Sequence, residues 1–553
     1  MSLRSLKFFP KLAAFLAAAV VLTLTGAAIP AQAQTYTILD NFLNGGPGPE
    51  WAGGPLAQGR DGNLYGYSYL GGANNTGSLW KTDVSGTVSV VYSFAAGTGN
   101  DCQNGMTLGT DGNFYGSALT NCTGAGYLFK MAPSGTITVL HTFTGTPDGN
   151  NPGLLTQYSD GNFYGVTTLG GANNLGSVFK ITPAGALTTL YSFAGNGPAN
   201  PTYGLTVGND GNFYGTFSGN SGWRGGIFKM TPAGTVTILH AFFDAPDGAN
   251  PNSGLTLGKD GNFYGNTEFG GVISDGRDNE GTIFKMTPTG TVTILHSFNA
   301  ATDYAAYPTA PLMQATDGNF YSVISGCAEL GCGGTLNDIY EVTPSGTLTV
   351  LEEFTGPNGQ FPYWPLTQDT NGTIYGLAQQ GGTVNGGVLF SLNIHAAPFA
   401  SLVSASGKEG AKIGILGQGF SSSSVVKFGG VQASAITLSG TTFITATLPA
   451  AALTGKVTVV TGSTTLTSSQ NFKVKPTFTS FTPPSGPVGT PVTITGTGLT
   501  QTTKVKFNGT SAVFTVNSDT QITATVPTGA TTGKIAVTTK GGGATSTTSF
   551  TVN

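Results

Sequence analysis

The chain has 553 residues, enough for three to five domains at roughly 100–200 residues each. It carries 86 Gly and 29 Pro with only 9% charged residues, while 34 Phe and 19 Tyr supply material for cores, which argues against disorder, collagen or a coiled coil. A formal net charge of −4 offers no basic footprint for a phosphate backbone, so nucleic acid is not expected as a partner.

The first residues read as an export signal. Arg4, Lys7 and Lys11 precede an apolar stretch from Leu12 to Leu24, and Ala31-Gln32-Ala33 offers a small-residue cleavage site. Residues 1–33 are therefore expected to be a signal peptide, and the mature chain to be secreted or held at the cell surface. No Cys follows the apolar stretch and no later run of about 18 apolar residues occurs, so neither lipid attachment nor a transmembrane segment is expected.

From residue 34 the chain repeats. Asp-Gly-Asn-(Leu/Phe)-Tyr recurs from Asp61, Asp111, Asp160, Asp210, Asp260 and Asp317, and a weaker seventh copy reads Asn371-Gly372-Thr373-Ile374-Tyr375. In the third unit, apolar alternation predicts four strands over 153–158, 163–168, 177–182 and 186–193. Asp160-Gly161-Asn162 reads as a tight hairpin in which Gly supplies a positive φ, and Thr182-Pro183-Ala184-Gly185 as a second turn. Four antiparallel strands per unit of roughly 50 residues predict a β-propeller blade. The seventh unit lacks a fourth strand after Leu392, whereas Tyr36 to Phe42 matches fourth strands such as Val292 to Phe298. The expected fold over 34–396 is thus an all-β, seven-bladed propeller closed by its N-terminal strand, which removes exposed sheet edges.

Segments such as Gly176 to Phe193 and Gly281 to Phe298 share Gly-(Ser/Thr)-(Val/Ile)-Phe-Lys-x-Thr-Pro-x-Gly. Over residues 35–395 they resemble the GloVer tandem repeat of choice-of-anchor bacterial surface proteins, which implies export and surface display but no characterised reaction. After Pro398, Val426-Lys427-Phe428-Gly429-Gly430 matches Val505-Lys506-Phe507-Asn508-Gly509, and Ile444 to Pro449 matches Ile522 to Pro527. With Pro483 to Gly489 and Gly496 to Leu499, these copies resemble IPT/TIG immunoglobulin-like domains at 397–474 and 475–553. That resemblance implies two Ig-like β-sandwiches serving as spacers or binding modules.

If strands run outward from the axis, the short uniform hairpins share one face and the variable loops the other, where binding is expected. Trp51, Phe361, Tyr363 and Trp364 enter the first and seventh units on that variable face, and Trp223-Arg224 lies on another of its loops. Flat rings of this kind stack on sugars or fill wedges between blades. The expected partner is an extracellular glycan or protein. Glu268, Asp275, Asp278 and Glu280 form one acidic cluster, a candidate for Ca²⁺ through hard oxygen ligands, although EF-hand order is missing and Arg277 intervenes. The same cluster, or a pocket Tyr, would supply the acid and base of the alternative reading, a polysaccharide lyase or hydrolase. A third reading is a structural surface or matrix protein. His141, His240 and His296 share one position on the fourth strand and read as structural, which favours non-catalytic binding. Four Cys in an exported chain suggest two disulfides among three connectivities; Cys102 with Cys122 and Cys327 with Cys332 keep each bridge within one unit.

Overall fold

β-branched and aromatic residues alternate throughout the repeats, and among the described residues every regular element is a strand. A computed structural model of the chain describes residues 34–95, 102–119, 124–195, 197–219, 224–243, 246–271, 280–299, 307–325 and 337–553. Residues 1–33, the expected signal peptide, lie outside them.

Seven consecutive antiparallel sheets form from the described residues between 35 and 393. The first takes Pro49–Gln58, Leu64–Gly71, Ser78–Thr82 and Val88–Ser93 in chain order from one edge to the other. The third departs from its expected first strand, which is broken into Asn150–Pro152 and Thr156–Gln157. Between the two pieces the Leu154 N–H donates to the Tyr203 carbonyl of the next sheet at 2.7 Å. In the seventh sheet the outer strand is Thr35–Asn41, antiparallel to Val388–Asn393. It has a register shift between Ile38 and Asp40 where other outer strands are also bulged, as beside Val178 and Phe179.

Five of the seven hairpins are braced alike, each by its own Asp. Asp160 Oδ1 accepts the Asn162 N–H at 3.1 Å, while Oδ2 accepts the Asn162 side-chain amide at 2.8 Å and the Tyr164 hydroxyl at 2.9 Å. Gly161 completes the turn at φ 85°. The same three bonds recur at Asp61, Asp111, Asp210 and Asp260, so the repeated Asp is turn chemistry.

Two devices join neighbouring sheets. The hairpin Tyr of one sheet packs its ring on the hairpin Phe of the next, from Tyr65 on Phe114 at 4.3 Å to Tyr115 on Phe163 at 3.9 Å and Tyr264 on Phe320 at 4.1 Å. An inner-strand Thr also donates its hydroxyl to a carbonyl in the next sheet: Thr107 to Leu155 at 2.6 Å, Thr156 to Leu205 at 2.6 Å and Thr206 to Leu255 at 2.5 Å. Thr367 does the same from the seventh sheet to Leu56 of the first, at 2.9 Å. Phe42, Leu56, Leu64, Trp80, Tyr375 and Leu389 share one core between those two sheets.

Residues 401–474 and 477–552 each form a pair of small sheets, and the strand order of the first pair is reproduced strand for strand in the second. Ile413, Phe428, Ile444 and Phe472 fill one core; Val492, Phe507, Ile522 and Phe550 fill the other. The first of these modules packs on the hairpin face. Its Phe443 ring lies 4.4 Å from the Arg60 guanidinium, and the Thr442 hydroxyl donates to the Arg60 carbonyl at 2.8 Å. Lys473 Nζ donates to the Asn209 carbonyl at 2.9 Å, Lys475 reaches the Ser159 hydroxyl, and the Gln418 amide donates to the Thr370 hydroxyl at 3.0 Å. The module that sequence reading treats as a spacer therefore covers this face.

Candidate functional site

The opposite face is built from the residues that open each inner strand. Six of them take a left-handed backbone: Trp51 at φ 53°, Asn151 at 59°, Asn200 at 56°, Asn250 at 56°, Tyr307 at 57° and Phe361 at 55°. The turn lets the N–H reach back to the preceding sheet, as in Asn151 to Ala125 at 3.0 Å, Asn200 to Leu175 at 2.9 Å and Asn250 to Arg224 at 2.7 Å. The Trp51 N–H donates in the same way to Gly386 of the seventh sheet at 2.9 Å. Asn accepts a left-handed backbone readily and bulky aromatics do not, so the six positions divide into an Asn group and an aromatic group. Trp51 and Phe361 share this repeat position; Trp364 lies three residues after Phe361, ahead of the inner strand Thr367–Gln368.

Trp364 joins Tyr67 and Tyr69 of the first sheet. Its ring lies 6.1 Å from Tyr67 and 6.3 Å from Tyr69, and the two Tyr rings are 5.3 Å apart with their hydroxyls bonded at 3.1 Å. Gly53 makes this approach feasible, since a Cβ there would lie 2.8 Å from the Tyr69 ring and 2.9 Å from Trp364 Nε1. Burial pushes the Tyr67 hydroxyl well above its ordinary range, with Tyr69 nearby adding to the effect. Burial also pushes Tyr69 up to about 12, against the opposing bond from Tyr67. Burial thus holds both phenols in their neutral form. Phe361 and Tyr363 lie with planes 6° apart and centroids 5.9 Å apart, and Tyr363 is 41% exposed. The indole N–H groups of Trp51 and Trp364 are buried without a hydrogen-bond partner.

The remaining expected residues divide. Trp223, Asp275 and Asp278 lie outside the described residues. Arg224 contributes the carbonyl that receives the Asn250 N–H, and the Glu280 carbonyl receives the Tyr307 N–H at 2.8 Å. Glu268 Oε2 accepts the side-chain amides of Asn250 at 2.6 Å and Asn252 at 2.5 Å. Burial raises the Glu268 pKa, opposed by the Asn250 bond. Among the described residues no three His, Cys, Asp or Glu side chains gather as metal ligands. His141 and His240 pair with Asp148 and Asp247 at 2.9 Å, each clasping the loop after its outer strand. Glu352 and Asn358 take their place in the sixth sheet at 2.7 Å. Cys102 opens the strand Cys102–Leu108; its side chain and Cys122, Cys327 and Cys332 lie outside the described residues.

Sequence reasoning missed Tyr67 and Tyr69. The signal was available in the repeat itself: the equivalent positions hold Ser117 and Leu119, Val166 and Thr168, or Thr216 and Ser218, so two Tyr in the first unit break the pattern.

The Gloeobacter/Verrucomicrobia repeat matches residues 27–223, 103–337 and 209–443. The chain belongs to this repeat family. An IPT/TIG domain matches residues 476–552 at the end of the repeat protein. No curated protein matches the chain in sequence. Among solved structures it is similar to a fungal alcohol oxidase of the AA5 family in complex with copper, at 14% identity and TM-score 0.40, covering 94% of this chain and 99% of that one. It is also similar to a gluconolactonase from Xanthomonas campestris, at 14% identity and TM-score 0.35, covering 66% and 92%. A third is the extracellular domain of a candidate one-component system from B. thetaiotaomicron, at 12% identity and TM-score 0.44, covering 84% and 58%. None of the three carries its activity over to this repeat protein. Among the described residues no helix is long and apolar enough to cross a membrane.

Proposed function

We propose that this chain is an exported, non-catalytic binding protein that takes an extracellular glycan or protein on the variable face of a propeller. In this reading residues 1–33 are removed, residues 34–396 form seven blades closed between the seventh and first sheets, and 397–474 and 475–553 are Ig-like modules. The Thr367 bond to Leu56 and the core shared by Leu64 and Tyr375 support the closure. The observation that carries the binding reading is the exposed Tyr363 ring parallel to Phe361 beside the partly exposed Trp51 and Trp364, backed at that closure by the buried Tyr67 and half-buried Tyr69. Such rings bury apolar area while leaving a polar rim, the arrangement that sugar or protein recognition uses.

The test is depletion of the mature protein by insoluble polysaccharides and by surface extracts, with released sugar ends read in the same tubes. Retention without product is the expected result. Released product would overturn it in favour of a lyase or hydrolase, for which half-buried Glu268 is one carboxyl with a raised pKa.

A further inference from the structure

We infer that the ligand of this face is a polysaccharide without ionised groups, held over the seventh and first sheets. The inference rests on the binding reading above and narrows it to one chemistry. Its first ground is the left-handed position that opens each inner strand. The third, fourth and fifth sheets fill it with Asn151, Asn200 and Asn250, whereas the sixth, seventh and first fill it with Tyr307, Phe361 and Trp51. Asn suits a left-handed backbone, and the aromatics in its place hold that backbone at a strain Asn would not carry. On these three successive sheets the rings of Tyr307, Phe361 and Trp51 stay partly exposed.

The second ground is charge. The loops over this arc are residues 41–51, 69–77, 355–364 and 379–387, and Glu50 is their one charged side chain. It is 5% exposed and occupied, since Glu50 Oε2 accepts the Gly45 N–H at 2.9 Å. What the arc offers instead is amides such as Gln360, Gln379 and Gln380, beside the exposed Tyr363. A uronate, a sulfated glycan or an acidic peptide would lose hydration here and meet no cation. A neutral sugar chain presents C–H faces to the rings and hydroxyls to the amides, and nothing in it needs a counter-charge.

The test uses the full mature chain and the variants Trp51→Asn and Phe361→Asn, which install the residue that three other sheets carry at that position. Tyr363→Ala, at an exposed site, serves as a further variant should either Asn variant unfold. Binding is measured against neutral polymers (cellulose, xylan, mannan) and acidic ones (polygalacturonate, alginate) at 50 and 500 mM NaCl. The expected result is retention on a neutral polymer that is unchanged by salt, an unchanged or raised melting temperature in the Asn variants, and at least a tenfold loss of affinity in them. Retention on acidic polymers alone, weakened by salt and lost in the variants, would sink the neutral assignment while leaving the face as the binding surface. Variants that bind like the wild type would move the site elsewhere. No retention on any polymer, with capture of the chain by a surface protein, would overturn the glycan class altogether.

Discussion

Asp369 offers a quantitative check on how the module of residues 401–474 meets the hairpin face. Its side chain is fully buried; Oδ1 accepts the Asn371 N–H at 2.8 Å and the Gln418 amide at 3.3 Å, and Oδ2 has no partner. Burial raises its pKa from 3.8 to about 6, against the opposing bonds from Asn371 and Gln418. Because the folded value lies above the unfolded one, the folded chain holds the proton more tightly. Its contribution to stability is complete below pH 3.8 and is lost as pH rises through about 6. At about 1.4 kcal/mol per pKa unit, the whole window is worth about 3 kcal/mol. Asp369→Asn does not titrate, so the stability gap between variant and wild type should move by about 2–3 kcal/mol in the variant's favour between pH 4 and pH 8. Any fixed packing penalty of the amide cancels in that comparison. Urea denaturation of both proteins across this range reads the gap directly. A gap that does not change with pH would mean that the carboxyl is hydrated, and the packing of Gln418 against the seventh hairpin would be refuted.

Other consequences follow from single contacts. Thr206→Val removes the hydroxyl that caps the Leu255 carbonyl and should cost about 1–2 kcal/mol in chemical denaturation; no measurable loss would show that this link is ornamental to the junction. Arg60→Ala removes the guanidinium over Phe443, so limited proteolysis between the sheets and the first module should accelerate several-fold, and equal rates would contradict the docking. Equilibrium dialysis at millimolar Ca²⁺ tests the acidic cluster: binding that disappears in Glu268→Gln is the outcome required for a metal site, whereas no bound ion ends that proposal. Peptide mapping without reduction should recover Cys102 linked to Cys122 and Cys327 linked to Cys332; crossed pairs would overturn the proposed connectivity.

Much of the fold is legible in the residues. The Asp-Gly-Asn hairpins, the Tyr and Phe beside them and the stray N-terminal strand each repeat a local pattern, and local patterns follow from turn chemistry and side-chain alternation. The split of the third inner strand was not legible, since Leu154 there meets Tyr203 of another sheet. The candidate site was half legible. Trp51, Phe361, Tyr363 and Trp364 stood out as aromatics on variable loops, but Tyr67 and Tyr69 sit inside a strand that reads as core.

The sequence by itself determined the strands, their hairpins and which repeat position each residue holds, since those depend on neighbours within a few residues. Only the tertiary structure decided which aromatics face one another and that the module of residues 401–474 covers the hairpin face. Those outcomes are set by where the seventh sheet meets the first and by residues hundreds of positions apart, such as Arg60 and Phe443, which no local preference brings together.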